Sequence, residues 1–166
     1  MGARRGIPGT PGGPLRTREF PNGLPSLTGS DAQKVLEGNK LLAASLTIIR
    51  VALKHGVPVT FENPQGSRMW WTPQSQRLLA RSDKVLLDFC CFGTRWRKPT
   101  RLATWNIDLS GLRHRCAPIN NCCSTSGQPH VILQGGAPGG ERWTKIAEPY
   151  PVPFCTAYAR TVVEKG

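Results

Sequence analysis

Three groups of side chains in this sequence have types and spacings that suit chemistry. The densest is Arg95, Trp96, Arg97, Lys98 and Arg101, with Trp105 nearby. Guanidinium and ammonium groups interleaved with indoles suit pairing to phosphates while a base stacks on a ring, which implies binding that weakens as salt rises. Without a polyanion, the same residues would form a solvated cationic loop whose indole packs inward. A second group is Cys116, Cys122, Cys123 and His130. Thiolate and imidazole are the donors that borderline-soft zinc prefers in a tetrahedral set. The spacing contains no Cys-x2-Cys knuckle, however, and adjacent Cys122 and Cys123 do not readily chelate one ion. On that ground His130 reads as a hydrogen-bonded packing residue ahead of a short strand. The third group is Glu62, followed by Asn63 and Pro64. Taken alone, it is an exposed carboxylate in an Asn-Pro turn.

These side chains need elements to hold them. From Ser30, a good N-cap, apolar residues recur at helical spacing at Val35, Leu42, Leu46, Ile49 and Leu53, and Gly56 supplies the stop. A short strand with alternating Val57, Val59 and Phe61 follows and ends at Glu62-Asn63-Pro64. Trp70 and Trp71 fall in a loop, and Ser75 to Ala80 forms a short helix. Lys84 to Phe92 is a second strand halted by Gly93, Thr100 to Trp105 a third, and Val131 to Leu133 a short fourth. Val152 to Val163 is a C-terminal helix with its proline confined to the first turn. Helix, strand, helix and strand in this order imply an α/β layered sheet, with function at the carboxyl ends of strands.

At Glu62 the residues acquire a family likeness. The strand VPVTF running into FENPQGSRMWW resembles the Glu-Asn-Val or Glu-Asn-Pro signature of DNA (cytosine-5) methyltransferases. Further on, CCFGTRWRKPTRLATW resembles that family's later signature, in which a Phe-Gly or Tyr-Gly pair introduces a basic turn and then a strand, here in a Lys-x-Thr variant filled by Lys98 and Thr100. PLRTREFPNGLPSL, EGNKLL, CSTSGQPHVILQGG and TKIAEPYPVPFCTAYA are similar to a divergent methyltransferase-like group of eukaryotic gene families that include mobile-element relatives. Together these segments cover most of residues 14–162, and their collinear order carries the match.

The resemblance implies the C-terminal half of a partial Rossmann-like methyltransferase sheet with flanking helices. In that family a cytosine is flipped out of the duplex, a cysteine thiolate attacks its ring, and a carboxylic acid holds the ring nitrogen. Glu62 matches that acid, and Asn63 would fix the turn beside it. Arg95, Trp96, Arg97, Lys98, Thr100 and Arg101 would contact nucleic acid. Two departures qualify the match. The family places its nucleophile in a Pro-Cys loop upstream of the helix leading to Glu62, whereas the first cysteine here is Cys90. The methyl donor S-adenosylmethionine is cradled by a strand and Gly-rich turn, but Gly6 to Gly13 follows no strand. The expectation is therefore a chain that starts after the catalytic loop. It would hold no cofactor of its own, and it would be half an active enzyme only if an upstream segment or complementary chain supplied the rest.

Lys and Arg number 22 against 10 Asp and Glu in 166 residues, a formal net charge of +12, which points to a polyanionic partner, DNA or RNA. The alternative is a small basic interaction protein whose Pro-rich arm binds a partner domain. No apolar run approaches the ~20 residues that span a bilayer, and no membrane partner is expected. An intracellular location, nuclear or cytoplasmic, follows, in which the six cysteines are thiols. Residues 1–29, rich in Gly, Pro, Thr and Arg, read as an extended arm and 30–166 as the domain. An incomplete sheet would leave an edge through which the chain pairs with a complementary chain or with itself.

Overall fold

The computed structural model describes residues 13–165. Most of the Gly-rich stretch from Gly6 and the first twelve residues of the expected arm lie outside it. The chain is mixed α/β. Its first helix, α1 (Gly29–Lys54), buries Val35, Gly38, Leu42, Leu46 and Ile49, a spacing of three and four residues that makes one stripe. It ends as the sequence demands. Gly56 sits at φ 72°, Val57 N–H donates to Ala52 C=O at 3.0 Å, and Gly56 N–H donates to Leu53 C=O at 3.1 Å. This is the pair of bonds that closes a helix through a left-handed glycine. Strand β1 (Val59–Pro64) follows, then a 3₁₀ turn at Arg68–Trp71 in place of the expected loop, and helix α2 (Pro73–Leu79). The α2 N-cap is Thr72, whose hydroxyl accepts from Ser75 N–H, with Pro73 at the first helical position.

Strand β2 (Asp83–Asp88) is shorter than expected, because Phe89–Phe92 coil into a 3₁₀ turn. Residues three apart eclipse in such a turn. Phe89 and Phe92 therefore enter the same core, which an extended strand would have prevented. Gly93 at φ 90° ends the turn. Strand β3 (Pro99–Trp105) completes a three-stranded antiparallel sheet in the order β1-β3-β2. A 3₁₀ turn at Ser110–Leu112, the short helix α3 (Trp143–Ile146) and helix α4 (Val152–Lys165) follow. Val131 to Leu133 is not a strand. Val131 N–H donates to Arg95 C=O at 2.8 Å, but no ladder continues from it, and the bridges between 113 and 142 are isolated.

Two compact units divide the described residues. One comprises 13–83 with Ala103–Asn106, the other Lys84–Leu102 with 107–165. Each has its own core. The first packs Leu42, Leu46, Ile49, Met69, Trp70, Leu79, Ala103 and Trp105 together. The second packs Val85, Leu87, Phe89, Phe92, Leu102, Ile107, Leu109, Leu112 and Phe154, with Tyr158 and Val162 of α4 against them.

Residues ahead of α1 are anchored in the first unit. Arg16 is 6% exposed and donates to Pro21 C=O at 2.8 Å, Asn39 Oδ1 at 2.7 Å and Val35 C=O at 3.2 Å. Burial lowers its pKa from the ordinary guanidinium value. Gly23 fits the same anchorage at φ 127°, where an added Cβ would stand 2.6 Å from Val35 Cγ1. Gly23→Ala is expected to cost about 1–3 kcal/mol from backbone strain and overpacking. Urea unfolding followed by tryptophan fluorescence measures it, and an unchanged midpoint would mean that this segment does not pack on α1.

Candidate functional site

In the first unit, Glu62 and Asn63 lie near the end of β1, both half-buried. Asn63 lines a pocket of about 170 Å³ with Gly38, Leu41, Leu42, Ser45, Phe61 and Met69. The Pro64 carbonyl gathers the turn that follows: it accepts from Ser67 N–H and from the Trp70 indole N–H, each at 2.9 Å. Trp70 is buried edge-on against Phe61, with ring centroids 5.8 Å apart, which makes it a packing residue. Trp71 is half-buried, with the guanidiniums of Arg18 and Arg68 over its ring at 5.1 and 4.2 Å.

The expected nucleic-acid segment belongs to the second unit, and the fold uses most of it internally. Lys98, at φ 38°, donates from Nζ to Ala147 C=O at 2.7 Å and lies 5.2 Å from the Phe89 ring. Thr100 is fully buried and donates to Lys98 C=O at 3.1 Å. Trp96 and Arg101 are half-buried, and burial lowers the Arg101 pKa. Arg95 is exposed.

Arg97 reaches the residue that organises this region, Asp88, whose side chain is 0% exposed. Its carboxylate faces Arg97 Nε at 3.2 Å and Arg115 Nε at 3.0 Å, and accepts from Cys116 N–H at 2.9 Å. Asp88 N–H donates to His114 C=O at 2.8 Å, and Arg97 also donates to Cys116 C=O at 3.0 Å. One buried carboxylate thus pins two basic loops, Arg95 to Arg97 and Arg113 to Arg115, with two guanidiniums against a single negative charge. Nothing about Asp88 in the sequence distinguished it from a strand-end carboxylate.

Beside this lies a cluster of thiols and imidazole. Cys90, Cys116, Cys123 and His130 bring their Sγ and ring-nitrogen atoms within 4.8 Å of one another. Cys116 Sγ is 3.8 Å from Cys123 Sγ and 3.7 Å from His130 Nε2. The sequence reading included Cys122 where the structure has Cys90. Cys122 is half-buried and its sulfur is not in the group, while its backbone pairs with Ile119 across a turn.

Local sequence builds this arrangement. Asn120 and Asn121 stand at φ 48° and 62° between Ile119 and Cys122. Positive φ at both central residues is what a tight two-residue hairpin turn requires, and asparagine tolerates it. Asn121 then holds His130 twice: its C=O accepts from His130 N–H at 2.9 Å, and its Nδ2 donates to His130 C=O at 3.2 Å. A second tight turn at Gly127, φ 70°, carries a bond from Gly127 N–H to Cys123 C=O at 2.8 Å. The Cys90 side enters from the 3₁₀ turn that Gly93 ends.

Backbone donors face the sulfurs, with Ser124 N–H on Cys116 Sγ and Thr125 N–H on Cys123 Sγ, each at 3.4 Å. Burial pushes the Cys123 thiol up, but N–H donors at Ser126 and Thr125 outweigh it and hold the group down at about 5. Burial pushes the Cys90 thiol well above its ordinary value, and the Cys116 and Cys123 thiols push it further. A pocket of about 430 Å³ opens against the cluster, lined by Cys90, Thr94, Arg95, Ser126, Gln128 and His130 among others.

Compared with protein-family models, with curated proteins and with solved structures, the chain finds no match.

Proposed function

We propose that this chain is a nucleic-acid-associated module that performs no catalytic step of its own. The observation that carries the reading is the convergence of the two basic loops on Asp88. There, two guanidiniums share one carboxylate, and Arg95, Arg113 and His114 stand exposed in the same loops. In a chain of net charge +12, an excess of fixed positive charge on rigidly pinned loops suits the phosphate backbone of DNA or RNA. The finer reading is a methyltransferase-like, Rossmann-related domain, with Glu62 and Asn63 toward an extruded base and S-adenosylmethionine supplied by another segment or chain. Its support is the sequence motifs. Among the described residues no helix is long and apolar enough to cross a membrane.

Fluorescence anisotropy of a labelled duplex, titrated over a range of salt, tests the phosphate contacts. Arg95 and Arg113 are the residues to replace, because both are exposed and neither belongs to the Asp88 ion pairs. The double change to Gln is expected to weaken binding and to reduce the slope of log affinity against log salt by about 2, close to one per phosphate contact. An unaltered slope would place the contact on another surface, and absence of binding at low salt would reject the reading.

A further inference from the structure

The geometry points to a structural zinc ion held by Cys90 Sγ, Cys116 Sγ, Cys123 Sγ and His130 Nε2, which staples the loops of the second unit. Zinc bonds thiolate sulfur at about 2.3 Å and imidazole nitrogen at about 2.0–2.1 Å in tetrahedral sites. The edges of such a tetrahedron are then about 3.8 Å between sulfurs and about 3.6 Å between sulfur and nitrogen. The Cys116 to Cys123 distance is 3.8 Å and the Cys116 to His130 distance 3.7 Å. A disulfide would need about 2.05 Å, so these sulfurs are spaced as ligands and not as a bonded pair.

A second observation comes from where burial falls. Residues 113–142 contain no helix and no named strand, and the buried residues among them are Cys116, Cys123 and His130. A stretch of this length has no apolar core of its own, and side chains that would each prefer water or a partner are its anchors. Long irregular segments within a compact unit need some such fixing. A metal supplies it: the free energy of binding becomes free energy of ordering the loop.

The surroundings suit the charge. Three thiolates on a divalent cation leave one net negative charge. The N–H groups of Ser124 and Thr125 point at two of the sulfurs, and Arg97 donates to the Cys116 carbonyl. Such outer bonds orient the ligands and offset that charge. Four protein donors also fill a tetrahedron and leave no open position, which makes the site structural rather than catalytic. Binding forms three Zn–S bonds and one Zn–N bond, and the protons of those thiols that are still protonated pass to solvent; no electron is transferred.

Untagged full-length protein, purified from cells grown with zinc, is to be analysed by mass spectrometric metal determination together with thiol counting by a chromogenic disulfide reagent. The expected result is about one zinc per chain, with Cys91, Cys122 and Cys155 reactive in the native protein and all six cysteines reactive after denaturation in a chelator. Cobalt(II) replacing zinc should give the intense visible bands of a tetrahedral thiolate site. Cys90→Ser and Cys123→Ser are expected to lose the metal, whereas Cys122→Ser and Cys91→Ser should retain it. Should the ligand variants fail to fold, the cobalt spectrum and thiol count of the unaltered chain still decide the matter. Metal-free protein that takes up no cobalt, iron in place of zinc, or a count of four thiols showing a Cys116 to Cys123 disulfide would each overturn the assignment. Loss of zinc in Cys122→Ser with retention in Cys90→Ser would overturn the ligand set.

Discussion

Phe89→Ala is expected to lower the unfolding free energy of the second unit by about 3–5 kcal/mol, the range for removing a fully enclosed aromatic side chain. Phe89 is 0% exposed. Its ring meets Phe154 at 5.4 Å and Tyr150 at 5.8 Å, and the Lys98 ammonium sits 5.2 Å from its centroid. The cavity left by alanine cannot close easily. Phe89 N–H is tied to Arg97 C=O at 2.8 Å, so the turn is held on one side while α4 packs through Phe154 on the other. Urea denaturation read by far-ultraviolet circular dichroism, with the slope against denaturant unchanged, checks the value. Phe92→Ala, at a position 8% exposed, is the comparison and should cost less. A loss below about 1 kcal/mol for Phe89→Ala would mean that the aromatic cluster is not the core of this unit.

Asp88→Asn should destabilise by about 2 kcal/mol, although it changes almost no volume. Breaking a buried ion pair from one side costs about 3–5 kcal/mol when the remaining charge stays buried. Here Arg97 and Arg115 have side chains 34% and 36% exposed, so their guanidiniums recover water and the penalty shrinks. What persists is the loss of three charge-assisted contacts, among them the one from Cys116 N–H. Asp88→Asn combined with Arg97→Gln and Arg115→Gln removes the uncompensated cations as well. It should be more stable than the three single losses added together, which a double-mutant-style comparison of urea midpoints measures. Simple additivity would show that Asp88 does not act as a shared counter-ion.

The parts of this fold that were legible in the sequence are those where one physical signal dominates. The α1 stripe and its Gly56 stop agree in spacing and cap chemistry, and β3 and α4 carry clear apolar patterns. Where one pattern serves two geometries, the residues alone do not decide between them. Val85, Leu87 and Phe89 alternate as a strand would, yet the chain coils after Asp88, because Phe92 has to join Phe89 in one core. Val131 to Leu133 has strand-like residue types with no neighbouring strand to receive its hydrogen bonds.

The cysteine cluster was half visible. Cys116, Cys123 and His130 recur seven residues apart, a spacing without the tight Cys-x2-Cys knuckle that marks a zinc site in sequence. Cys122 stands beside Cys123, but successive side chains of an extended chain point to opposite sides, so the doublet contributes one inward sulfur, that of Cys123. Cys90 lies 26 positions before Cys116, and β3 intervenes between them. Only the fold places it. The six residues of the basic segment stand out as a group in the sequence, but their number of charges says nothing about how many the interior consumes. Lys98 and Thr100 are bound inside and Arg97 is tied to Asp88, whereas Arg95 remains in water.

Strand β3 crosses from one unit to the other within its seven residues: Leu102 contributes to the second core, Ala103 and Trp105 to the first. No single cut in the chain therefore separates the units. A ribosome that has made everything through Asp83 has produced a first unit still lacking Trp105, which is 5% exposed in the finished protein. That unit cannot complete its interior until the β2 segment and the turn bearing Cys90 have also been synthesised. Maturation of the two halves is thus ordered by connectivity: the older half waits for two core-facing positions of the younger sequence, Ala103 and Trp105, and a truncation between Asp83 and Ala103 would damage both.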